Sequence, residues 1–262
     1  MLTEEHFQTL AKRLKIKTFS DKLFEMCNDQ KAYADKTFEE KMAILIEAEV
    51  EHRNNTYVHK MNKAARFANP AACIEDIIYL PNRSLDKDYL VRLAAGGYIA
   101  EHDHIVVICE SGLGKSFVAQ ALGNAACRQM HSVRYVRHAN LCAELNVART
   151  ASAEAYYGTM RKFQDVDLLI LDDFFTTPVS DQNIVDTFEI IEARVDKGSM
   201  VIASIIEPEE WHLRIPTKTV ADSLLGRIIH RSCYIDIKGP NMRGYLADLK
   251  EARGKGGKAA KK

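Results

Sequence analysis

The sequence lacks a long apolar run, an excess of charge of either sign, and closely spaced cysteines. A membrane-spanning helix needs about 18 consecutive apolar residues, and no uncharged run reaches that length. Glu4 and Glu5 lie where a secretory signal would carry positive charge. The 36 Lys and Arg residues balance 36 Asp and Glu residues, so a nucleic-acid partner would have to bind local basic patches. We therefore expect a cytoplasmic globular protein with no membrane partner.

The six cysteines lie far apart, at positions 27, 73, 109, 127, 142 and 233. Disulfide frameworks and zinc sites usually place cysteines in close, repeated pairs such as Cys-x-x-Cys. This spacing predicts free thiols.

Glycine and proline are both absent from residues 1–68, which are rich in Lys, Glu, Ala and Leu. This composition favours helices, so we predict a helical N-terminal domain over 1–68. Thr37 and Glu40 match a capping box, which predicts a helix over 37–66. Apolar residues recur along it every three or four positions, and we expect the helix to bury this stripe. The stripe consists of Phe38, Met42, Leu45, Ile46 and Val50.

The second half of that helix is basic, with Lys60, Lys63 and Arg66 and no acidic residue between 52 and 74. Cations near the end of a helix suit its dipole, so a solvated helix end is one interpretation. A surface that binds nucleic acid or a partner is the other.

Apolar runs alternate with helix-length segments after about residue 104. This alternation predicts an α/β fold, a parallel sheet flanked by helices, in a domain over 69–250. The predicted strands are 104–109, 132–136, 166–171, 199–205 and 233–237. Residues 251–262 are basic and glycine-rich, and we expect them to form a disordered tail.

A glycine-containing loop ending in Gly114-Lys115-Ser116 follows the first predicted strand. A nucleoside triphosphate needs backbone N–H groups at a helix N-terminus, a lysine for its outer phosphates and a hydroxyl for Mg²⁺. Lys115 and Ser116 match the last two roles, and we predict a nucleoside triphosphate and Mg²⁺ as ligands. The residues predicted to bind the nucleotide are Glu110, Ser111, Gly112, Leu113, Gly114, Lys115, Ser116 and Phe117.

Cys109 stands where the phosphate-loop pattern has glycine. A side chain is tolerated at this position if the backbone φ is negative.

A second apolar strand ends in Asp172 and Asp173. Mg²⁺ prefers oxygen ligands, so we assign Asp172, with Ser116, to the metal. Asp173 is predicted to orient and deprotonate the attacking water. Together with the phosphate loop, this pair indicates a P-loop nucleotidase.

Basic and aromatic residues interleave between these two motifs, which suits contacts with a nucleic-acid backbone and stacking on bases. An ordinary solvated surface is the alternative. The candidate DNA contacts are Arg134, Arg137, Arg149, Tyr156, Tyr157 and Arg161, with Lys60, Lys63 and Arg66 from the N-terminal helix.

The chain as a whole resembles the IstB-like helper ATPases of insertion-sequence transposition, relatives of the DnaC helicase loader within the AAA+ superfamily. Two segments, ADSLLGRIIH at 221–230 and KGPNMR at 238–243, distinguish this family best from other ATPases, because many unrelated ATPases share the phosphate loop. The similar segments are 37–50, 93–99, 114–123, 168–173, 210–212, 221–230 and 238–243.

The resemblance implies a homo-oligomer, a ring or a helical filament, that assembles with ATP on double-stranded target DNA, bends it and stimulates a transposase. It also implies that Arg227 is an arginine finger reaching a neighbour's γ-phosphate, and that Arg243 is a sensor arginine. Ser204 falls at the first-sensor strand, beside the nucleotide. Ile205 stands where the family usually has an amide, so hydrolysis is expected to be slow. The few residues after Cys233 imply a truncated or absent C-terminal lid.

Two other functions fit the same motifs. A DnaC-like loader would deliver a helicase instead of acting with a transposase, and an ATP-gated DNA scaffold would have little turnover. A nucleotide kinase is disfavoured, because no segment resembles a substrate lid.

Overall fold

Helices make up the N-terminal region in the computed structural model, which describes residues 4–215 and 218–259. Thr37 and Glu40 form the predicted capping box: the Thr37 N–H donates to Glu40 Oε2 at 2.7 Å, and the Glu40 N–H donates to Thr37 Oγ1 at 3.3 Å. The predicted long helix is therefore confirmed. The elements are α1 Glu4–Leu14, α2 Lys17–Asn28, a 3-10 turn Gln30–Tyr33 and α3 Phe38–Ala65.

The chain divides into two units, Met1–Lys60 and Met61–Lys262, so the boundary lies inside α3 and earlier than the predicted one after residue 68. Within the first unit, α3 buries Leu45 and Glu49, and the Glu49 carboxylate accepts from the Phe19 N–H at 3.1 Å.

The apolar stripe of α3 is largely exposed, and the prediction that it is buried was wrong. Phe38, Ile46 and Val50 are 73%, 52% and 50% exposed, whereas Leu45 is only 2% exposed. The buried face is centred on Leu45 and Glu49 because α2 contacts α3 there, through the Phe19 backbone. Periodicity revealed the helix but not which of its faces the neighbouring helix covers.

The second unit is an α/β domain, as predicted, and each predicted strand forms at its expected place. The strands are β1 His104–Ile108, β2 Val133–Arg137, β3 Leu168–Asp172, β4 Ser199–Ser204 and β5 Ser232–Asp236. The helices are α4 Lys87–Ala94, α5 Gly97–Ala100, α6 Lys115–Arg128, α7 His138–Ala151, α8 Ala153–Gln164, α9 Asp181–Arg194, α10 Pro208–Trp211, α11 Lys218–Ile229 and α12 Met242–Ala259, with 3-10 turns at Ile74–Asp76 and His212–Arg214.

All strand pairs are parallel, in the order β2-β3-β4-β1-β5. Alternate residues of each strand face opposite sides of a sheet. Ile105 and Val107 accordingly belong to one apolar cluster, with residues of α4 and α6, and Val106 and Ile108 belong to a second, with residues of α7, α8, α9 and α11. Helices thus cover both faces, and the carboxyl ends of the strands lie at one edge.

The C-terminal segment after β5 is helical further than expected. α12 continues to Ala259, so the prediction of disorder from residue 251 is wrong for 251–259, and 260–262 lie outside the described residues. Extending an existing helix is easier than nucleating one, and Ala, Lys and Arg favour a helix, which offsets the low helix propensity of Gly254, Gly256 and Gly257.

All six cysteines are free thiols, as predicted. Among residues 4–215 and 218–259, no helix has the length and apolar character needed to span a bilayer.

Two histidines are buried beside the sheet. His104 Nδ1 accepts from the Met200 N–H at 3.3 Å, and His138 Nδ1 accepts from the Phe175 N–H at 3.3 Å. His138 Nε2 lies 3.1 Å from Thr187 Oγ1. Burial lowers the pKa of each imidazole to about 4.

These two histidines should make the protein less stable in mild acid. Between the ordinary pKa of 6.5 and about 4, the unfolded chain binds protons that the folded chain does not, so stability falls as pH is lowered through this range. From about pH 7 to about pH 5.5, we expect each histidine to lower the free energy of unfolding by about 1 kcal/mol. Urea unfolding at the two pH values measures the loss. His104→Asn keeps a hydrogen-bond acceptor but has no site that titrates, so it should lose about half as much unfolding free energy between the two pH values as the parent. A loss equal to the parent's would show that His104 does not contribute to this pH dependence.

Candidate functional site

A cavity of about 870 Å³ opens at the carboxyl ends of the strands, within the second unit. In parallel sheets, ligands bind at this edge, where the strand order changes direction. The cavity brings together Ser111, Gly112, Gly114, Lys115, Ser116 and Phe117 of the predicted loop with Asp172, Asp173 and Arg243. Glu110 is exposed and Leu113 is buried in the core, and neither side chain lines the cavity.

The phosphate loop has the backbone geometry that its glycines predict. Gly112 and Gly114 have φ values of 89° and 102°, in the left-handed region that side chains rarely adopt. A Cβ on Gly112 would lie 2.6 Å from Asn241 Nδ2. Helix α6 begins at Lys115, so its free N–H groups and the positive end of its dipole point toward the loop.

Cys109 does not distort this loop. It is buried and has no positive φ, and its N–H donates to the Ser204 carbonyl at 3.3 Å. The φ of Cys109 is negative, so the backbone tolerates a side chain where the phosphate-loop pattern usually has glycine. Burial raises the pKa of the Cys109 thiol, which keeps it protonated.

The ion pairs of the site centre on Asp173. Lys115 Nζ lies 2.5 Å from Asp173 Oδ1 and 3.6 Å from Asp172 Oδ1. Arg137 donates to Asp173 Oδ2 through Nε at 2.9 Å and Nη2 at 2.6 Å. Burial alone would raise the pKa of Asp173, but the hydrogen bonds from Lys115 and Arg137 outweigh it and lower the pKa. The carboxylate is therefore ionised and held by two cations.

Asp172 is held by a residue that the sequence did not reveal. The Tyr135 hydroxyl donates to Asp172 Oδ2 at 2.8 Å, and the Asp173 N–H donates to Asp172 Oδ1 at 2.9 Å. In the sequence, Tyr135 looks like an ordinary core residue of β2. Only the pairing of β2 with β3 places its side chain beside Asp172.

The oxygen ligands at this edge fit Mg²⁺. Asp172 and Ser116 both line the cavity, and Mg²⁺ is usually held by one or two protein oxygens together with phosphate oxygens and water. Within the described part of the chain, no cluster of three or more His, Cys, Asp or Glu residues could form a site made of protein ligands alone.

Helix α12 brings Arg243 to the cavity. The Met242 N–H donates to the Gly112 carbonyl at 2.9 Å, which fixes the start of this helix on the phosphate loop.

Arg83, which the sequence did not reveal, also lines the cavity and donates to the Leu113 carbonyl at 2.6 Å.

Ser204 has a different environment from the expected one. Its hydroxyl is fully buried, donates to the Phe174 carbonyl at 2.8 Å and accepts from the Ile206 N–H at 3.0 Å. The side chain that lines the cavity here is Ile205. Ser204 therefore holds the loop behind Asp173 and does not itself line the cavity.

Arg227 does not line the cavity of its own chain. It lies on α11, forms an ion pair with Glu192, donates to the Ser223 carbonyl at 2.8 Å, and stacks over the Phe188 ring at 5.4 Å. Any contact between Arg227 and a nucleotide must therefore involve another subunit or a rearrangement.

Several candidate DNA contacts are engaged inside the protein. Arg134 is buried and lies 3.2 Å from Glu144. Arg149 and Tyr156 both bind the fully buried Asp186, the tyrosine hydroxyl at 2.9 Å. Buried or paired side chains have little left to offer a DNA phosphate.

The other candidates remain accessible. Tyr157 and Arg161 lie one turn apart on α8 and are exposed, as are Lys60 and Lys63 on α3 and Arg66, which directly follows α3. Arg137 is exposed too, but it is paired with Asp173 in the cavity.

Comparison with known proteins shows which family the chain is similar to. A family model described as IstB-like ATP binding protein matches residues 9–248. An insertion sequence ATP-binding protein of Sinorhizobium fredii is 35% identical, covering 87% of this chain and 89% of the relative. A second one from the same organism is 34% identical, covering 77% and 80%.

Solved structures share the fold at low sequence identity. DnaA from Aquifex aeolicus, with AMPPCP bound, has a TM-score of 0.58 at 18% identity. The match covers 71% of this chain and 56% of that DnaA chain. The DnaC helicase loader has a TM-score of 0.51 at 15% identity, covering 64% of this chain and 97% of the loader. The second unit therefore has an AAA+ fold, and the chain belongs to the family of IstB-like ATP binding proteins.

Proposed function

We propose that this protein is an ATP-hydrolysing, sequence-non-specific DNA-binding protein that assembles on target duplex DNA, deforms it and recruits a transposase. The observation that carries the proposal is the convergence of Lys115, Asp172 and Asp173 on the phosphate loop. The insertion-sequence context of the relatives supports the transposase as partner.

The cavity supports hydrolysis through the groups already placed in it. Lys115 and the α6 N-terminus bind the outer phosphates. The oxygen of a water forms a bond to the γ-phosphorus while the bond to the β–γ bridging oxygen breaks, and one water proton passes to Asp173. ADP and phosphate are the products. For this to happen, Lys115 must exchange Asp173 for phosphate, which frees Oδ1 of the carboxylate to act as a base while Arg137 still holds Oδ2.

Asp172 and Ser116 would hold Mg²⁺, which neutralises phosphate charge when bound. Tyr135 and the Asp173 N–H keep the Asp172 carboxylate in one orientation. The protein's contribution is thus a fixed ligand geometry.

Duplex DNA is proposed to contact the exposed cations of α3 and α8. Lys63, Arg66 and Arg161 are exposed, and contacts from such side chains to phosphate carry no sequence information. A scaffold with little turnover is the second candidate, because Asp173 is paired with two cations and Ile205 lines the cavity.

Lys115→Ala should lower the affinity for ATP by about 100-fold, because charge-assisted hydrogen bonds to two phosphates are lost. Titration with a fluorescent ATP analogue measures this effect. ATP-dependent retention on duplex DNA should also be lost, whereas the parent should bind unrelated duplexes equally and lose affinity steeply as salt is raised.

Lys162→Ala is the matched control, since this lysine is exposed on α8 and does not line the cavity. It should keep full ATP affinity. Unchanged ATP affinity in Lys115→Ala would refute the site, and a parental preference for one short duplex would refute non-specific DNA binding. Phosphate release by the parent distinguishes a hydrolase from the scaffold.

A further inference from the structure

Thr176 carries an unpaired hydroxyl at the nucleotide cavity. The residue lines the cavity, and its Oγ1 is buried without a hydrogen-bond partner in the part of the chain that the structure describes. A buried hydroxyl that makes no hydrogen bond is unfavourable, and native proteins usually satisfy such groups with water or a ligand. The position of Thr176 therefore indicates a polar partner that belongs in the cavity.

The backbone around Thr176 is held in place on both sides. Asp173 and Phe175 have φ values of 52° and 50°, which is uncommon for residues other than glycine and most unfavourable for a bulky residue such as Phe175. The Phe174 N–H donates to the Ala203 carbonyl at 3.0 Å, and the Thr176 N–H donates to the Asp173 carbonyl at 3.2 Å. Unfavourable backbone conformations persist where surrounding contacts impose them, often at functional sites.

Buried side chains reinforce this loop. Phe174 and Phe175 are fully buried. Ser204 donates to the Phe174 carbonyl at 2.8 Å, and the Phe175 N–H donates to His138 Nδ1 at 3.3 Å. Thr176 is thus presented at a defined place, three residues after Asp173.

The other side chains near this wall of the cavity cannot supply the same hydrogen bond. Ser204 is used by the backbone, Ile205 is apolar, and Arg137 is bound to Asp173. The Tyr135 hydroxyl donates to Asp172, so among these side chains of the described residues Thr176 carries the hydroxyl that is still free both to donate and to accept.

We propose that Thr176 holds the attacking water beside Asp173 and thereby supplies the polar contact that Ile205 does not. The water oxygen attacks the γ-phosphorus and gives one proton to the Asp173 carboxylate. Rotation about χ1 turns Thr176 Oγ1 from its buried position toward the cavity. The second hydrogen of the water stays on its oxygen and is donated to Thr176 Oγ1, while the Thr176 O–H donates to a γ-phosphate oxygen. This inference rests on the proposed hydrolysis of ATP at the same site.

Thr176→Val tests this role, because valine keeps the shape of threonine and removes the hydroxyl. In the full-length protein with duplex DNA, kcat for phosphate release should fall by about 10-fold or more. Affinity for ADP should change by less than about twofold, whereas affinity for ADP with aluminium fluoride, which mimics the transferring phosphoryl group, should fall about as much as kcat. Thr176→Ser should restore most of both.

Two controls separate this role from a structural one. The urea midpoint of Thr176→Val should not be lower than the parent's, because the hydroxyl has no partner to lose in the nucleotide-free protein. Thr177→Val, at the exposed neighbouring residue, should behave like the parent in every assay.

The outcomes distinguish this inference from the proposed function. Parental kcat and parental affinity for the aluminium fluoride complex in Thr176→Val would overturn the role of Thr176 and leave ATP hydrolysis standing. A lowered urea midpoint together with weaker ADP binding would also overturn it, in favour of a structural role. A parent that neither binds nor hydrolyses ATP would overturn both.

Discussion

Asp173→Asn should lower the rate of ATP hydrolysis by about 100-fold or more, because the amide cannot accept the proton of the attacking water. Binding of ATP should be retained and slightly tighter. In the parent, Lys115 is bound to the Asp173 carboxylate at 2.5 Å, and a bound phosphate must displace that carboxylate. The variant has no carboxylate there, so phosphate does not have to break this ion pair. Asparagine is the appropriate replacement, since Asp173 has a φ of 52° and asparagine tolerates the left-handed region.

Steady-state phosphate release and titration with a fluorescent ATP analogue measure the two effects separately. Asp172→Asn is the comparison, because removing a charged metal ligand should weaken binding of ATP with Mg²⁺ but not binding of ATP in the presence of a chelator. Parental hydrolysis in Asp173→Asn would mean that another residue activates the water.

Arg227→Ala should leave ATP binding nearly unchanged and lower DNA-stimulated hydrolysis by about 1,000-fold, the effect typical of removing an arginine finger. Arg227 does not line the cavity of its own chain, so such an effect requires a neighbouring subunit or a rearrangement, and an arginine finger acting in trans predicts the neighbour. Hydrolysis by the parent should accordingly rise faster than linearly with protein concentration.

Mixing variants tests this directly. Arg227→Ala subunits have an intact phosphate loop, and Lys115→Ala subunits have an intact Arg227, so mixtures should recover part of the activity that each variant lacks. Glu192→Gln is the control, because it breaks the ion pair of Arg227 and keeps the guanidinium. It should retain hydrolysis, whereas a loss equal to that of Arg227→Ala would show that the ion pair itself matters. Mixtures that co-assemble without recovery, or a fully active monomer, would contradict a role in trans.

Local sequence patterns determined most of the fold and the centre of the site. The positions of β1 to β5, the capping box at Thr37 and Glu40, and the loop ending at Ser116 were all predictable. Each depends on residues close together in the chain, because strand periodicity, helix capping and a phosphate loop are local properties. Asp172 was assigned to the same site as this loop because the two motifs together are typical of a P-loop nucleotidase.

Contacts between distant residues were decided only by the tertiary structure. These include the hydroxyl of Tyr135 on Asp172, the two cations on Asp173 and the burial of Arg134. The sequence indicated that α3 is a helix, but the exposure of its apolar stripe depends on which face α2 covers. Likewise, Ser204 and Thr176 are both small hydroxyl residues, one at the end of β4 and one in the loop after β3. Only the folded loop shows that the first is bound to backbone and the second is unpaired at the cavity, because hydrogen-bond satisfaction depends on every group brought near by folding.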